Sequence, residues 1–159
     1  MYLGAWGASR FPQGTQMSYT DVTAAVLHSL CDLYRHIAVR GDAGLTVNFH
    51  LDYEDPNVRI VSQRTDEAKV TVTPKERSNV LIRIPRWTPR ESVKITACDK
   101  PISLTMIGDF AFVPRTDLSE QAEIVVCYGL PVRTTIDTIN DAEYRYQWRG
   151  DDIIGVPCT

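Results

Sequence analysis

The hydrophobic positions of this chain change their period once, near residue 44. Before that point Val22, Val26, Leu30, Leu33 and Ile37 recur at spacings of three and four, with Ala25 and Ser29 on the same side. This is the pattern of a helix that buries one face. Ser18 with Asp21 resembles a capping box with Asp in place of Glu, while Arg40-Gly41 offers a basic last turn and a glycine that tolerates a left-handed end. The expected helix runs from about Thr20 to Val39. After Gly44, Leu45, Val47, Phe49 and Leu51 alternate with Thr46, Asn48 and His50, as in a strand with one buried face. Runs bounded by turn residues follow at 58–63, 68–73, 79–84, 92–97, 102–106, 110–114, 123–128, 144–148 and 153–156. Short strands at such spacing, with no helix between them, predict an antiparallel, jelly-roll-like β-sandwich behind one amphipathic helix.

Residues 1–19 read as an irregular lead-in, 20–40 as the helix and 44–159 as the sandwich, with Val132–Asp141 a longer connection. A chain of 159 residues can close one core without staples. Its 43% hydrophobic and 23% charged residues and net charge of -3 separate it from disordered chains and from basic nucleic-acid binders. Cys31, Cys98, Cys127 and Cys158 form no C-x-x-C pair, so reduced and mostly buried thiols are expected rather than a zinc ribbon or redox centre. The start lacks the basic and apolar regions of a secretory signal, and no stretch approaches the ~20 apolar residues that span a bilayer. The expectation is a soluble chain of unknown compartment, with neither nucleic acid nor membrane as partner.

Candidate chemistry is sparse. His28 and Cys31 lie one helical turn apart and His36 further on, but a zinc site needs three or four ligands, so no metal and no other cofactor is expected. His50 falls on the polar side of its strand and should be exposed. Asp52, Glu54 and Asp55 cluster before Pro56, and Asp151 and Asp152 share the last turn. Glycoside hydrolysis commonly needs two carboxyl groups facing each other across a cleft about 5 to 10 Å wide, which neighbours in one turn do not supply. Turn chemistry explains them. Arg-Gly-Asp occurs at 40–42 and 149–151, explained respectively by the helix end and by a turn. Tyr144, Tyr146 and Trp148 share one strand face opposite Arg145, Gln147 and Arg149, and Trp87 closes the run Leu81–Trp87. Flat amphipathic rings of this kind can stack on sugars, which makes these four the candidate carbohydrate-binding residues, with core packing as the competing role.

A helix followed by Gly44-Leu45-Thr46-Val47-Asn48-Phe49-His50-Leu51, and later by Val80-Leu81-Ile82-Arg83-Ile84-Pro85-Arg86-Trp87, resembles the C-terminal part of glycoside hydrolase family 127, the β-L-arabinofuranosidase-like family. There a last barrel helix feeds a strand of the form G-L-Y-V-N-L-Y, and a later strand reads L-R-I-P-x-W. Ser92–Thr96, Ala122–Val126 with Leu130-Pro131-Val132-Arg133, and Tyr144–Asp151 resemble later parts of the same tail, so the similarity covers about residues 20–156. Family enzymes are understood to carry a cysteine nucleophile and zinc-binding cysteines in a C-C-x-P-N-like run just before that helix. The corresponding place here reads Ser18-Tyr19-Thr20-Asp21-Val22, without a thiol. The resemblance therefore implies the family's sandwich with one attached helix and no catalytic residue.

The leading functional expectation is a non-catalytic accessory module of a glycoside-hydrolase-like protein, its helix docked on a helical barrel of the parent protein or another protomer. Such a helix needs a surface to cover its apolar face, because short helices draw most of their stability from packing. A stand-alone carbohydrate-binding module is the alternative. An independent glycoside hydrolase is the weakest reading, since two opposed catalytic groups cannot be placed.

Overall fold

The computed structural model describes residues 20–139 and 142–155. It divides into two compact units, residues 1–36 and 37–159. The first contains helix α1, Thr20–Arg35. At 100° per residue, Val26, Leu27, Leu30, Leu33 and Tyr34 fall within about 120° of arc, an apolar stripe of the width that core-facing helices carry. His28, Asp32 and Arg35 stand on the other side, where His28 Nε2 lies 3.2 Å and Arg35 3.8 Å from the Asp32 carboxylate. The helix ends at Arg35 rather than at Val39 because the residues that continue its period are used elsewhere. Ile37 and Ala38 enter the core of the second unit, at 2% and 7% exposure.

The second unit opens with a hairpin, β1 (Ala38–Gly41) and β2 (Gly44–Val47), so the first Arg-Gly-Asp ends a strand and starts its turn instead of closing the helix. Gly44 is required there: its φ is +121°, and a Cβ would meet the Asn79 carbonyl oxygen at 2.2 Å. There follow β3 (Tyr53–Glu54), β4 (Val58–Arg64), β5 (Glu67–Pro74), β6 (Val80–Arg83), β7 (Lys94–Ala97), β8 (Lys100–Ile102), β9 (Thr105–Ile107), β10 (Phe110–Val113) and β11 (Ile124–Gly129). They form a five-stranded sheet in the order β1-β2-β6-β10-β9 and a six-stranded sheet in the order β3-β4-β5-β11-β7-β8. Among the described strands every pairing is antiparallel except β2 with β6. The expected strand at 102–106 is divided between the sheets, with Ser103 and Leu104 crossing from β8 in one to β9 in the other.

Alternate residues from the two sheets meet in one core. Leu45, Val47, Val80, Ile82, Ala111 and Val113 come from one side, and Val58, Ile60, Val70, Val72, Ile124 and Val126 from the other, all at most 1% exposed. The architecture is thus a β-sandwich, with one helix ahead of it. Beyond it, β12 (Val132–Ile139), β13 (Ala142–Arg149) and β14 (Asp152–Gly155) make a separate three-stranded antiparallel sheet. Val132–Asp141, expected as a connection, is mostly strand. Its Val, Thr and Ile residues suit a pleated backbone through their branched Cβ, although the polar threonines hide any apolar face.

Candidate functional site

The β12–β14 ribbon carries three of the four candidate aromatics. Trp148, Tyr146 and Tyr144 stand directly opposite Arg133, Thr135 and Asp137 of β12, so these six side chains share a face. Trp148 is engaged: its indole N–H donates to Thr135 Oγ1 at 2.7 Å, and the Arg133 guanidinium lies over its ring at 5.0 Å. Tyr144, nearer the far end of the hairpin, is 41% exposed. Val132 and Ile136 project from the opposite face and are 65% and 56% exposed. On the aromatic face exposure thus rises from partly buried Trp148 and Tyr146 to exposed Tyr144, while the opposite face is exposed along its length.

Trp87 belongs to the sandwich and lies at the root of the ribbon rather than on it. Its ring is tilted against Tyr128 at 5.9 Å, and it abuts the β13–β14 turn. A Cβ on Gly150 would sit 2.8 Å from Leu130 and 2.9 Å from Trp87, and Gly150 has a φ of +61°. Only glycine fits that contact and that backbone angle. The second Arg-Gly-Asp is therefore the expected turn, and it is the root of the ribbon. Arg133 donates to the Gly150 carbonyl at 3.2 Å, and the Gly150 N–H donates to Pro131 O at 3.0 Å.

Beneath this root lies a polar chain that sequence reading did not foresee. Arg64, at the end of β4, holds Asp151 at 2.5 Å and Asp152 at 3.5 Å. The same guanidinium lies near enough to the Tyr128 hydroxyl for its charge to act on it. Tyr128 is 1% exposed and lies with its oxygen 2.6 Å from His50 Nδ1. The direction of this bond follows the histidine tautomer: with the ring proton on Nε2, which is buried without a hydrogen-bond partner, the Tyr128 hydroxyl donates to Nδ1. His50 is thus half-buried and bonded, not exposed as its place on the polar side implied. The strand ends at Val47 and the chain then leaves the period of two. Burial above all, helped by the Arg64 charge, holds the His50 pKa down to about 4. Burial likewise raises that of Tyr128 against the pull of Arg64.

Of the carboxylates near Pro56, only Asp55 serves its own turn, while Asp52 and Glu54 reach across to neighbouring strand segments. Asp55 Oδ1 accepts from the N–H groups of Asn57 and Val58 at 2.7 and 2.8 Å. Burial opposes its ionisation, but these donors outweigh it and keep the carboxyl below its usual pKa. Asp52 accepts from Ser62 N at 2.7 Å, and Glu54 pairs with Lys75 at 2.8 Å. The cysteines are less buried than expected: Cys31 is exposed, and Cys98 and Cys127 are partly so. Cys98 sits in a tight β7–β8 turn at φ +51°, where the Ser119 hydroxyl at 3.3 Å lowers its thiol pKa. Cys158 falls outside the described residues, as do Ser18 and Tyr19. Among the described residues no group of three or more His, Cys, Asp or Glu could hold a metal ion, and no helix is long and apolar enough to cross a membrane.

No family model matches the sequence, and no curated protein does. Solved structures match the fold. A GH127 β-L-arabinofuranosidase from Geobacillus stearothermophilus superposes on 83% of this chain with a TM-score of 0.59 and 15% identity. A second structure, described as a glycoside hydrolase, superposes on 96% with a TM-score of 0.60 and 15% identity. The chain spans only 23% and 28% of those proteins. Its helix-and-sandwich fold is therefore that of a minor part of larger glycoside hydrolases.

Proposed function

We propose that this chain is a non-catalytic accessory β-sandwich module of a glycoside-hydrolase-like protein, docked through α1 on a helical barrel of the same polypeptide or of another protomer. The exposed apolar stripe of α1 carries the reading: Leu27 is 58%, Leu30 56% and Tyr34 60% exposed. Burying such side chains is worth about 1.5–3 kcal/mol apiece, so a helix that shows them to water gains from a partner. The greater length of both structural neighbours, and the absence of a thiol from Ser18–Val22, support the same view. Co-expression with the helical barrel of a glycoside hydrolase of matching fold tests it. Leu27→Asp with Leu30→Asp should abolish co-purification and leave thermal unfolding of the β unit unchanged. Co-purification that survives the double change, or turnover of an aryl arabinofuranoside by the purified chain alone, would sink the proposal.

A second reading is carbohydrate binding at Tyr144, Tyr146 and Trp148, with Trp87 as a further candidate. The alignment of the first three on one sheet face, with Tyr144 exposed, favours it. Aromatic rings two residues apart in a strand stand on the same face, roughly 7 Å from each other. A glycan array read with wild type and with Trp148→Ala plus Trp87→Ala decides this case, and equal signals from both proteins count against it.

A further inference from the structure

The ribbon is joined to the sandwich through few groups, and one of them can change its charge. We propose that Asp151, Arg64, Tyr128 and His50 form an acid-released latch that holds the root of the β12–β14 ribbon on the sandwich. The four residues come from four places: the β13–β14 turn, the end of β4, β11, and the loop after β2. Asp151 and Arg64 meet at 2.5 Å and Tyr128 Oη and His50 Nδ1 at 2.6 Å, and the Arg64 charge acts on both Tyr128 and His50.

Proton inventory gives the direction. With His50 neutral and its proton on Nε2, Nδ1 accepts a hydrogen bond from the Tyr128 hydroxyl and the phenol oxygen keeps its lone pairs for the nearby Arg64 charge. A proton taken from solvent by Nδ1 reverses this. The imidazolium must then donate to the same oxygen on which the Arg64 charge acts, and the phenol proton loses its acceptor. Two cations also face one another across Tyr128, with Asp151 and the more distant Asp152 as the counter-charges on the turn and none from β6, whose Arg83 contributes backbone. The closed arrangement therefore excludes the proton, in line with the histidine pKa near 4.

The sign follows from comparing closed and open forms. A His50 released to water regains an ordinary pKa near 6.5, whereas the closed form stays neutral down to about 4. Above pH 6.5 neither form gains by protonation and the latch has its full strength. Between pH 6.5 and 4 only the open form binds the proton, so opening is favoured tenfold per unit, by roughly 300-fold in all. Below 4 the effect levels off.

Segment-resolved hydrogen exchange on the whole chain, corrected for intrinsic rates, tests this. Protection of amides in 132–149 should fall along that curve while amides of β5 and β11 keep theirs, and His50→Gln should flatten the ribbon's response. The ring signals of His50, followed by NMR in the wild type, should titrate together with ribbon opening, which keeps the test sound if the variant folds poorly. Loss of protection in parallel across β5 and β11, a ribbon response independent of pH, a slope that persists in His50→Gln, or a His50 titration unlinked to opening would each overturn the latch. None of these outcomes bears on whether α1 docks a barrel.

Discussion

The sandwich and the ribbon are built from the same period of two, yet they use it oppositely. In β5 the residues Ala68, Val70 and Val72 are sealed at 0–1% exposure while their neighbours face outward. In β12, Val132 and Ile136 alternate just as regularly and remain more than half exposed. Alternation fixes which residues share a face. Whether that face is covered depends on a second layer, and the far part of the ribbon has none within the described chain. A sheet of few strands and no covered face is marginal in water. The ribbon therefore depends on its root, where Gly150, Trp87, Leu130 and Arg64 converge.

The contrast can be broken first at its strongest point. Ile124→Ala in β11 removes a fully buried side chain and should cost about 3 kcal/mol in chemical denaturation, within the range for large-to-small core changes. A loss under 1 kcal/mol would mean that the sandwich core is not packed as described. Gly150→Ala should cost about 2 kcal/mol, because it combines a left-handed backbone angle with contact against Trp87 and Leu130. Its effect should also concentrate in the ribbon, with amides in 132–149 losing more protection than those of β5. Replacing Asp55 by Ala removes the acceptor of two backbone N–H groups and should cost about 1 kcal/mol, a value set by hydrogen bonds rather than by either apolar layer. At the low end, Ile136→Ser should shift stability by less than about 0.5 kcal/mol, as for other exposed positions. A larger loss would show that its face is covered in solution.

The period of two was enough to find most sandwich strands and the turn at Gly150, since Leu45, Val47, Val70 and Ile82 announce their burial by spacing alone. It failed where two local rules overlapped. Ile37 and Ala38 continue the helical period of α1 and also begin the β1 hairpin, and only the Ala38–Val47 pairing settles the matter in favour of strand. Residues 102–106 read as one run because alternation does not record which sheet a strand joins. β12 was missed because its threonines look like a loop. The four aromatics were legible as a set, but not that Trp148 is capped by Arg133 or that Trp87 packs on Tyr128. The chain from Asp151 to His50 was invisible for a simpler reason: Tyr128 lies 78 residues from His50, and no local pattern links them.

The parallel pairing of β2 with β6 sets a timetable for synthesis. A hairpin of residues 38–47 leaves the ribosome early, but the strand that shields its inner edge, Val80–Arg83, emerges only after β3, β4 and β5. At 5–20 residues per second the delay is roughly two to seven seconds. During that interval Leu45 and Val47 have no sheet to join. The nascent chain thus carries an exposed apolar edge until its sixth strand arrives, and that is when a chaperone would find most to hold.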